Sequence, residues 1–183
     1  EKCAAKPLPE LVESLVTGPL SMKDSSFSLP AGKLRRLAVP YADGKPPVRM
    51  PDAEPTLVPF PGTGYLHFVP ARLFDRASFA SGGGGMIGTA ADYLRFLNSI
   101  AGGGAPILRQ ASGEAMLNSQ TGALKLKGQP PGWGFSYGYA VLVDRDAAHT
   151  AHENGTFKWG GAYGHAYFVD RKHVQRFGIN LAL

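Results

Sequence analysis

Cysteine is nearly absent from this chain: Cys3 is the single one, so no disulfide can close within it. Long apolar runs are missing too; none approaches the ~20 residues of a membrane-spanning helix. Charge is sparse, at 18% of residues, and the net +5 is dispersed in small basic groups. Lys33, Arg35 and Arg36 form one group, Lys125 and Lys127 another, Arg171 and Lys172 a third. That dispersal argues against nucleic acid as a partner, which wants clustered basic residues with interleaved aromatics. The run Gly82–Gly85 is followed by Met86 and Ile87 rather than by Gly-Lys-Ser/Thr, so it is no phosphate loop. It reads as a glycine-rich lead into a helix lying close to its neighbours. His149, His152 and Glu153 (HTAHE) lack the H-E-x-x-H order of a helical zinc pair, and they precede a strand. They read as a polar loop. Asn154-Gly155-Thr156 has the letters of a glycosylation sequon, but Asn-Gly is more simply a turn.

What the chain does have is glycine (24 residues), proline (15) and a hydrophobic content of 44%. At 183 residues that suffices for one domain with a core. Pro7 to Thr17 places Leu8, Leu11, Val12, Leu15 and Val16 at helical spacing, and Gly18-Pro19 stops it. Leu34 to Met50 reads as a hairpin turning at Ala42-Asp43-Gly44-Lys45. Asp52 to Ala71 is dense in proline and glycine and reads as a long ordered loop, of a kind that is often functional. Ser81 to Ile100 carries the clearest helix signal. Thr89 is its N-cap, Asp92 its capping-box partner, and Ala90, Tyr93, Leu94, Leu97 and Ile100 its apolar stripe. Gly102-Gly103-Gly104 ends it, and a short helix is expected over Ser112 to Leu117. After Trp133 the period changes to two. Trp133 to Val143, Trp159 to Val169 and His173 to Leu181 read as three antiparallel strands, with a tight turn at Asp170-Arg171-Lys172. Helices and loops come first and a sheet last, which is an α+β arrangement in a single domain over residues 1–183.

Adjacent glycines at the start of a strand need a reason, because glycine weakens a strand interior. The stretch GTFKWGGAYG, residues 155–164, raises that question at Trp159-Gly160-Gly161. Sheet packing or a bulge is one answer, and the close approach of a ligand is another. No nucleophile elbow is expected. Ser136 falls in a strand and Ser81 beside glycines, and neither has a base at a motif-defined spacing.

Three segments in order carry a family resemblance: PLSMKDSSF (19–27), SGGGGMIGTAADYLRF (81–96) and GTFKWGGAYGHAYFVD (155–170), with GWGFSYGYAVLVD between the last two. From about Pro7 to Leu183 the chain resembles the later half of the serine β-lactamase and penicillin-binding-protein superfamily. Within it, the match is to class C β-lactamases and the related family VIII carboxylesterases. The resemblance implies a part of the β-lactamase/transpeptidase-like fold. It implies hydrolysis of an ester or a β-lactam through an acyl-serine intermediate. In that superfamily a strand beside the active site carries Lys-Thr-Gly or a variant. Here Trp159, Gly160 and Gly161 fill the place as substrate-binding residues, and the backbone N–H of Ala162 becomes one of two oxyanion donors. Lys158 stands one position early and on the opposite strand face, so it takes no catalytic role.

The superfamily's Ser-x-x-Lys is absent, as is any Tyr-x-Asn or Ser-x-Asn. In the family both precede the first matching segment, and a closing helix follows the last strand. The chain is therefore expected to be the C-terminal portion of a longer enzyme, beginning mid-protein at Glu1 and inactive alone. Its partner would be the N-terminal segment of the same protein. No metal or organic cofactor is implied, and the setting would be a bacterial periplasm or cytoplasm. The alternative is a non-catalytic domain that binds a ligand or partner chain, with an exposed sheet edge favouring oligomers. The Trp-Gly-Gly variant leans toward esters, since Trp159 removes the cation that would pair with a β-lactam carboxylate.

Overall fold

The computed structural model describes residues 1–183 except 61, 63, 123, 125–127, 173–175 and 181–183, with the backbone alone for Arg176–Asn180. The first helix, α1 (Leu8–Val12), continues as a π-helical turn over Glu13–Thr17 and stops at Gly18, as the spacing of its leucines and valines foretells. Strands β1 (Tyr41–Ala42) and β2 (Val48–Arg49) pair antiparallel, so a hairpin forms within 34–50, but with two residues on each side, its turn over 43–47 and Leu34 to Arg36 in a 3₁₀ helix (Ala31–Arg36) instead of a strand.

The expected long loop over 52–71 is a second hairpin instead. Strands β3 (Thr56–Phe60) and β4 (Gly64–Phe68) pair from Thr56 opposite Phe68 to Phe60 opposite Gly64. Proline density masks this from composition. Pro59 is tolerated opposite Tyr65 because both strands of a two-stranded sheet are edges, where a missing N–H costs little.

Helix α2 (Ala90–Ala101) forms as expected. The Thr89 side chain accepts the Asp92 N–H at 3.2 Å, and Gly102 follows the last turn. The carboxylate of Asp92 does not complete a capping box. It is buried, and it accepts the Asp24 N–H at 2.6 Å, the Ser25 hydroxyl at 3.1 Å and the Arg95 guanidinium at 2.8 Å. Ser26 and Ile87 then exchange two backbone bonds, of 3.1 and 2.9 Å. The segment around Asp24 and the lead into α2 are thus one joint. Asp24 adds an ion pair with Lys33 at 2.7 Å and another with Arg36 at 2.9 Å. Their hydrogen bonds hold its carboxyl below the usual range. Helix α3 covers Gln110–Met116.

The C-terminal sheet has five antiparallel strands in sequential order: β5 (Trp133–Phe135), β6 (Ala140–Leu142), β7 (Phe157–Gly160), β8 (Ala166–Asp170) and β9 (Arg176–Asn180). Three strands were expected. The run Trp133 to Val143 folds back on itself, with Phe135 opposite Ala140, and the run Trp159 to Val169 breaks into the end of β7 and all of β8. Of the expected third strand, residues 173–175 and 181 lie outside the described residues. Alternation puts Val141, Phe157, Tyr167 and Val169 on one sheet face. There they meet Leu97 and Ile100 of α2 and Leu117 in the main core. Each fully buried large aliphatic or aromatic there contributes about 1.5–3 kcal/mol. Burial pushes the phenol of Tyr139, stacked on Phe157 at 4.5 Å, up to about 12. The sheet is thereby clamped on α2, and the end of β7 and the start of β8 stand clear of the core.

Candidate active site

Trp159 and Gly160 close a strand rather than open one. β7 ends at Gly160, and residues 161–165 turn the chain into β8, where Gly160 lies opposite Ala166. β7 is also internal to the sheet, not an edge. Its pairing with β6 stops at Lys158 opposite Ala140, however, so beyond that point the β6 side of β7 is open. The open stretch is Trp159-Gly160-Gly161, the residues singled out by sequence.

Two backbone bonds shape the turn: Gly161 N–H to the His165 carbonyl at 2.8 Å, and Gly164 N–H to the Gly161 carbonyl at 2.9 Å. Gly164 sits at φ 81°, a left-handed conformation that favours glycine. Gly161 makes room of a different kind. A methyl group on its α-carbon would run into the imidazole of His165. The close approach that glycine permits there is made by the chain's own histidine. Ala162 is exposed, and its N–H has no acceptor among the described residues. It is a free donor at a rigid, wet rim.

The neighbouring side chains sort by face. Lys158 lies on the face opposite Phe157, and its ammonium rests 3.9 Å from the centre of the Trp133 ring, a cation–π contact. Trp159 is half exposed and meets Phe135 edge-on, with centroids 5.0 Å apart. The open rim thus presents a large aromatic, with the Lys158 ammonium engaged by Trp133 and the Arg72 charge felt at Tyr163. Tyr163 contacts Phe68 of β4 edge-on, and burial raises its phenol above the ordinary value.

Other candidates resolve into structure. The letters G-x-S-x-G do occur, as Gly134-Phe135-Ser136-Tyr137-Gly138, and sequence reasoning passed over them. Ser136 is buried in the turn between β5 and β6. Its hydroxyl donates to the Met116 carbonyl and accepts the Tyr137 N–H at 2.6 Å. That is a hairpin turn and not the strand-to-helix elbow that exposes a nucleophile. No described serine hydroxyl is bonded to a histidine or lysine. The run Gly82–Gly85 belongs to a turn closed by Gly85 N–H on the Ser81 carbonyl at 2.8 Å, several residues ahead of α2. Glu153 is held by Arg145 and by Lys172 at 3.3 Å, and the His152 ring lies 4.8 Å from Phe168. Burial pushes the Glu153 carboxyl up, and the two cations more than offset it, leaving it below the usual range. Asn154 accepts the Arg145 N–H at 2.8 Å. No cluster of three His, Cys, Asp or Glu side chains able to hold a metal occurs among the described residues. A hollow of about 460 Å³ lies elsewhere, between the end of α2, α3 and Arg171.

Comparison with known proteins bears on the family and the fold. The family model described as Beta-lactamase matches residues 1–183. Esterase EstB of Burkholderia gladioli is 41% identical over 159 residues, which is 86% of this chain and 40% of EstB. The structure of EstCE1, described as a hydrolase with promiscuous acyltransferase activity, matches with TM-score 0.80 and 33% identity, over 94% of this chain and 45% of EstCE1. The octameric penicillin-binding protein homologue from Pyrococcus abyssi matches with TM-score 0.54 at 16% identity, over 88% of this chain and 30% of that one, which shows the shared fold alone. The chain spans less than half the length of each of these relatives.

Proposed function

The chain belongs to the Beta-lactamase family, and from that membership we propose that the whole protein is a serine acyl-hydrolase in which residues 1–183 form the C-terminal portion of the catalytic domain. The observation that carries this reading is the exposed Ala162 N–H, without an internal acceptor, on the open side of the Trp159-Gly160-Gly161 stretch. In the proposed reaction a serine outside residues 1–183 attacks the acyl carbonyl carbon. The carbonyl oxygen gains negative charge, and Ala162 N–H stabilises it together with the N–H of that serine. The tetrahedral centre collapses, the alkoxide leaves with a proton, and water later releases the acid from the acyl-serine. A preorganised backbone donor of this kind is worth about 10²–10³-fold in kcat.

The rim also bears on substrate. The Lys158 ammonium is engaged by the Trp133 ring, which leaves it less free to meet a substrate carboxylate. Trp159 offers an apolar wall instead. We read the substrate as an uncharged ester in preference to a β-lactam bearing a carboxylate.

The test is to treat the full gene product with an activated ester and a fluorophosphonate, and to locate the adduct by peptide mass spectrometry. The expected result is one modified serine outside residues 1–183, within Ser-x-x-Lys. An adduct on a serine of residues 1–183, or turnover by these residues alone, would sink the reading. Saturable ester binding without any adduct would instead support a non-catalytic binding domain. That rival draws on one observation, that no described serine is paired with a base.

A further inference from the structure

Tyr163 follows Ala162 directly, and its ring meets Phe68 edge-to-face, with centroids 4.7 Å apart and planes at 76°. Phe68 closes β4 and is 6% exposed, whereas Tyr163 is 41% exposed. The two backbone bonds of the turn both stay within the β7–β8 hairpin. They fix the shape of the tip at residues 161–165, while strand pairing and the core hold the body of the hairpin. Phe68 ties the tip from outside the sheet, and Phe68 is itself well anchored. The chain runs from it through Val69 into a 3₁₀ turn over Pro70–Phe74, where the Leu73 carbonyl accepts the Leu29 N–H at 2.8 Å. Leu29 closely follows the Asp24–Ser26 segment held on α2 by Asp92. A series of contacts therefore leads from the buried Asp92 to the residue beside the free N–H.

We propose that Phe68 is a positioning residue for the oxyanion donor, acting through the ring of Tyr163 on the backbone N–H of Ala162. The proposal rests on the acyl-hydrolase reading above. A donor of this kind works only within about 2.7–3.1 Å of the developing oxyanion. A displacement of about 1 Å can cost ~10²-fold in rate. Phe68 is buried and does not reach substrate, so any effect it has on turnover passes through the turn.

The experiment uses the full gene product and a neutral chromogenic ester. Phe68→Leu keeps a buried apolar side chain and removes the ring. It should lower kcat about tenfold while KM stays within about twofold. Affinity for a boronic acid that mimics the tetrahedral state should fall by the same factor. Tyr163→Ala should reproduce the loss, and Tyr163→Phe should recover most of it. The double variant Phe68→Leu with Tyr163→Ala should be no slower than Tyr163→Ala alone, because both cut one link. A merely structural role would lower Tm and leave kcat of the folded protein unchanged; that result overturns the proposal. A loss confined to the Tyr163 variants also overturns it, by making Tyr163 a direct substrate contact. A wild-type protein that takes no acyl group would overturn the hydrolase reading and this proposal together. An active wild type with unaffected variants overturns the positioning role alone.

Discussion

Two regions of this molecule use the same kinds of residue to opposite ends. At the joint between the Asp24–Ser26 segment and α2, the polar groups bond one another: the Asp92 carboxylate takes three donors, and Ser26 and Ile87 satisfy each other. At the rim of β7 and β8, Ala162 N–H faces out unbonded and Trp159 stands half exposed. The joint carries three long-range polar ties and no free valence, which is how a structural element is built. The rim leaves its valence open and is held by its own turn and by the Trp159–Phe135 and Tyr163–Phe68 contacts. Stability should therefore reside in the first region and activity in the second.

The largest expected effect lies in the joint. Asp92→Ala strands the Asp24 N–H and frees Arg95, and should cost about 3 kcal/mol of stability, since breaking a buried charged network is far dearer than losing an exposed pair. Denaturant unfolding of the full gene product checks this. A loss below about 1 kcal/mol, the range of an exposed pair, would show that the joint is no keystone. Gly161→Ala comes next and probes the rim. Its methyl needs the space of the exposed His165 ring, which can turn aside, so stability should fall by less than about 1 kcal/mol while kcat drops severalfold as the turn adjusts. Equal fractional damage to both quantities would blur the contrast between the regions.

A paired comparison sharpens it further. Trp159→Ala should cost about 1 kcal/mol through the lost Phe135 contact, and should raise KM for a neutral ester severalfold. Lys158→Met removes a cation–π contact worth about 0.5–1 kcal/mol and should leave ester turnover unchanged. A collapse of turnover in Lys158→Met would instead place that lysine at the chemistry. The smallest effect is acid dependence. The Asp24 carboxyl sits below its ordinary value because Lys33 and Arg36 bond it. Its stabilising contribution is therefore present above the unfolded pKa and lost as pH falls through the folded one. The unfolding midpoint should decline between about pH 5 and 3, and Asp24→Asn should flatten that decline.

How legible each region was in the sequence follows from contact distance along the chain. Helix α2 could be read because its cap, stripe and terminating glycine fall within fifteen consecutive residues, 89–103. The sheet was legible in kind but not in count. Strands of three to five residues hold too few alternations to reveal a reversal, and the turn Ser136–Tyr139 is disguised by two tyrosines. The β3–β4 hairpin was hidden by prolines that a two-stranded sheet accepts. The rim stretch Trp159-Gly160-Gly161 was visible as an anomaly and given meaning by family resemblance. The partners Phe68 and Asp24 were not visible, because nothing local in either sequence window names what it touches across the fold. His165 was within reach, since a bulky ring four residues after a glycine pair is a reason for the second glycine.

That last contact has a consequence for anyone reshaping the site. Residues 161 and 165 occupy one volume, with the imidazole filling what a side chain at 161 would need. With 161 varied alone, the exposed His165 ring must swing aside, so a mutational library should favour glycine and still admit alanine. Varied together with 165, it should admit alanine or serine at 161 more readily whenever 165 shrinks. The two positions are best sampled together, since each sets the room left to the other.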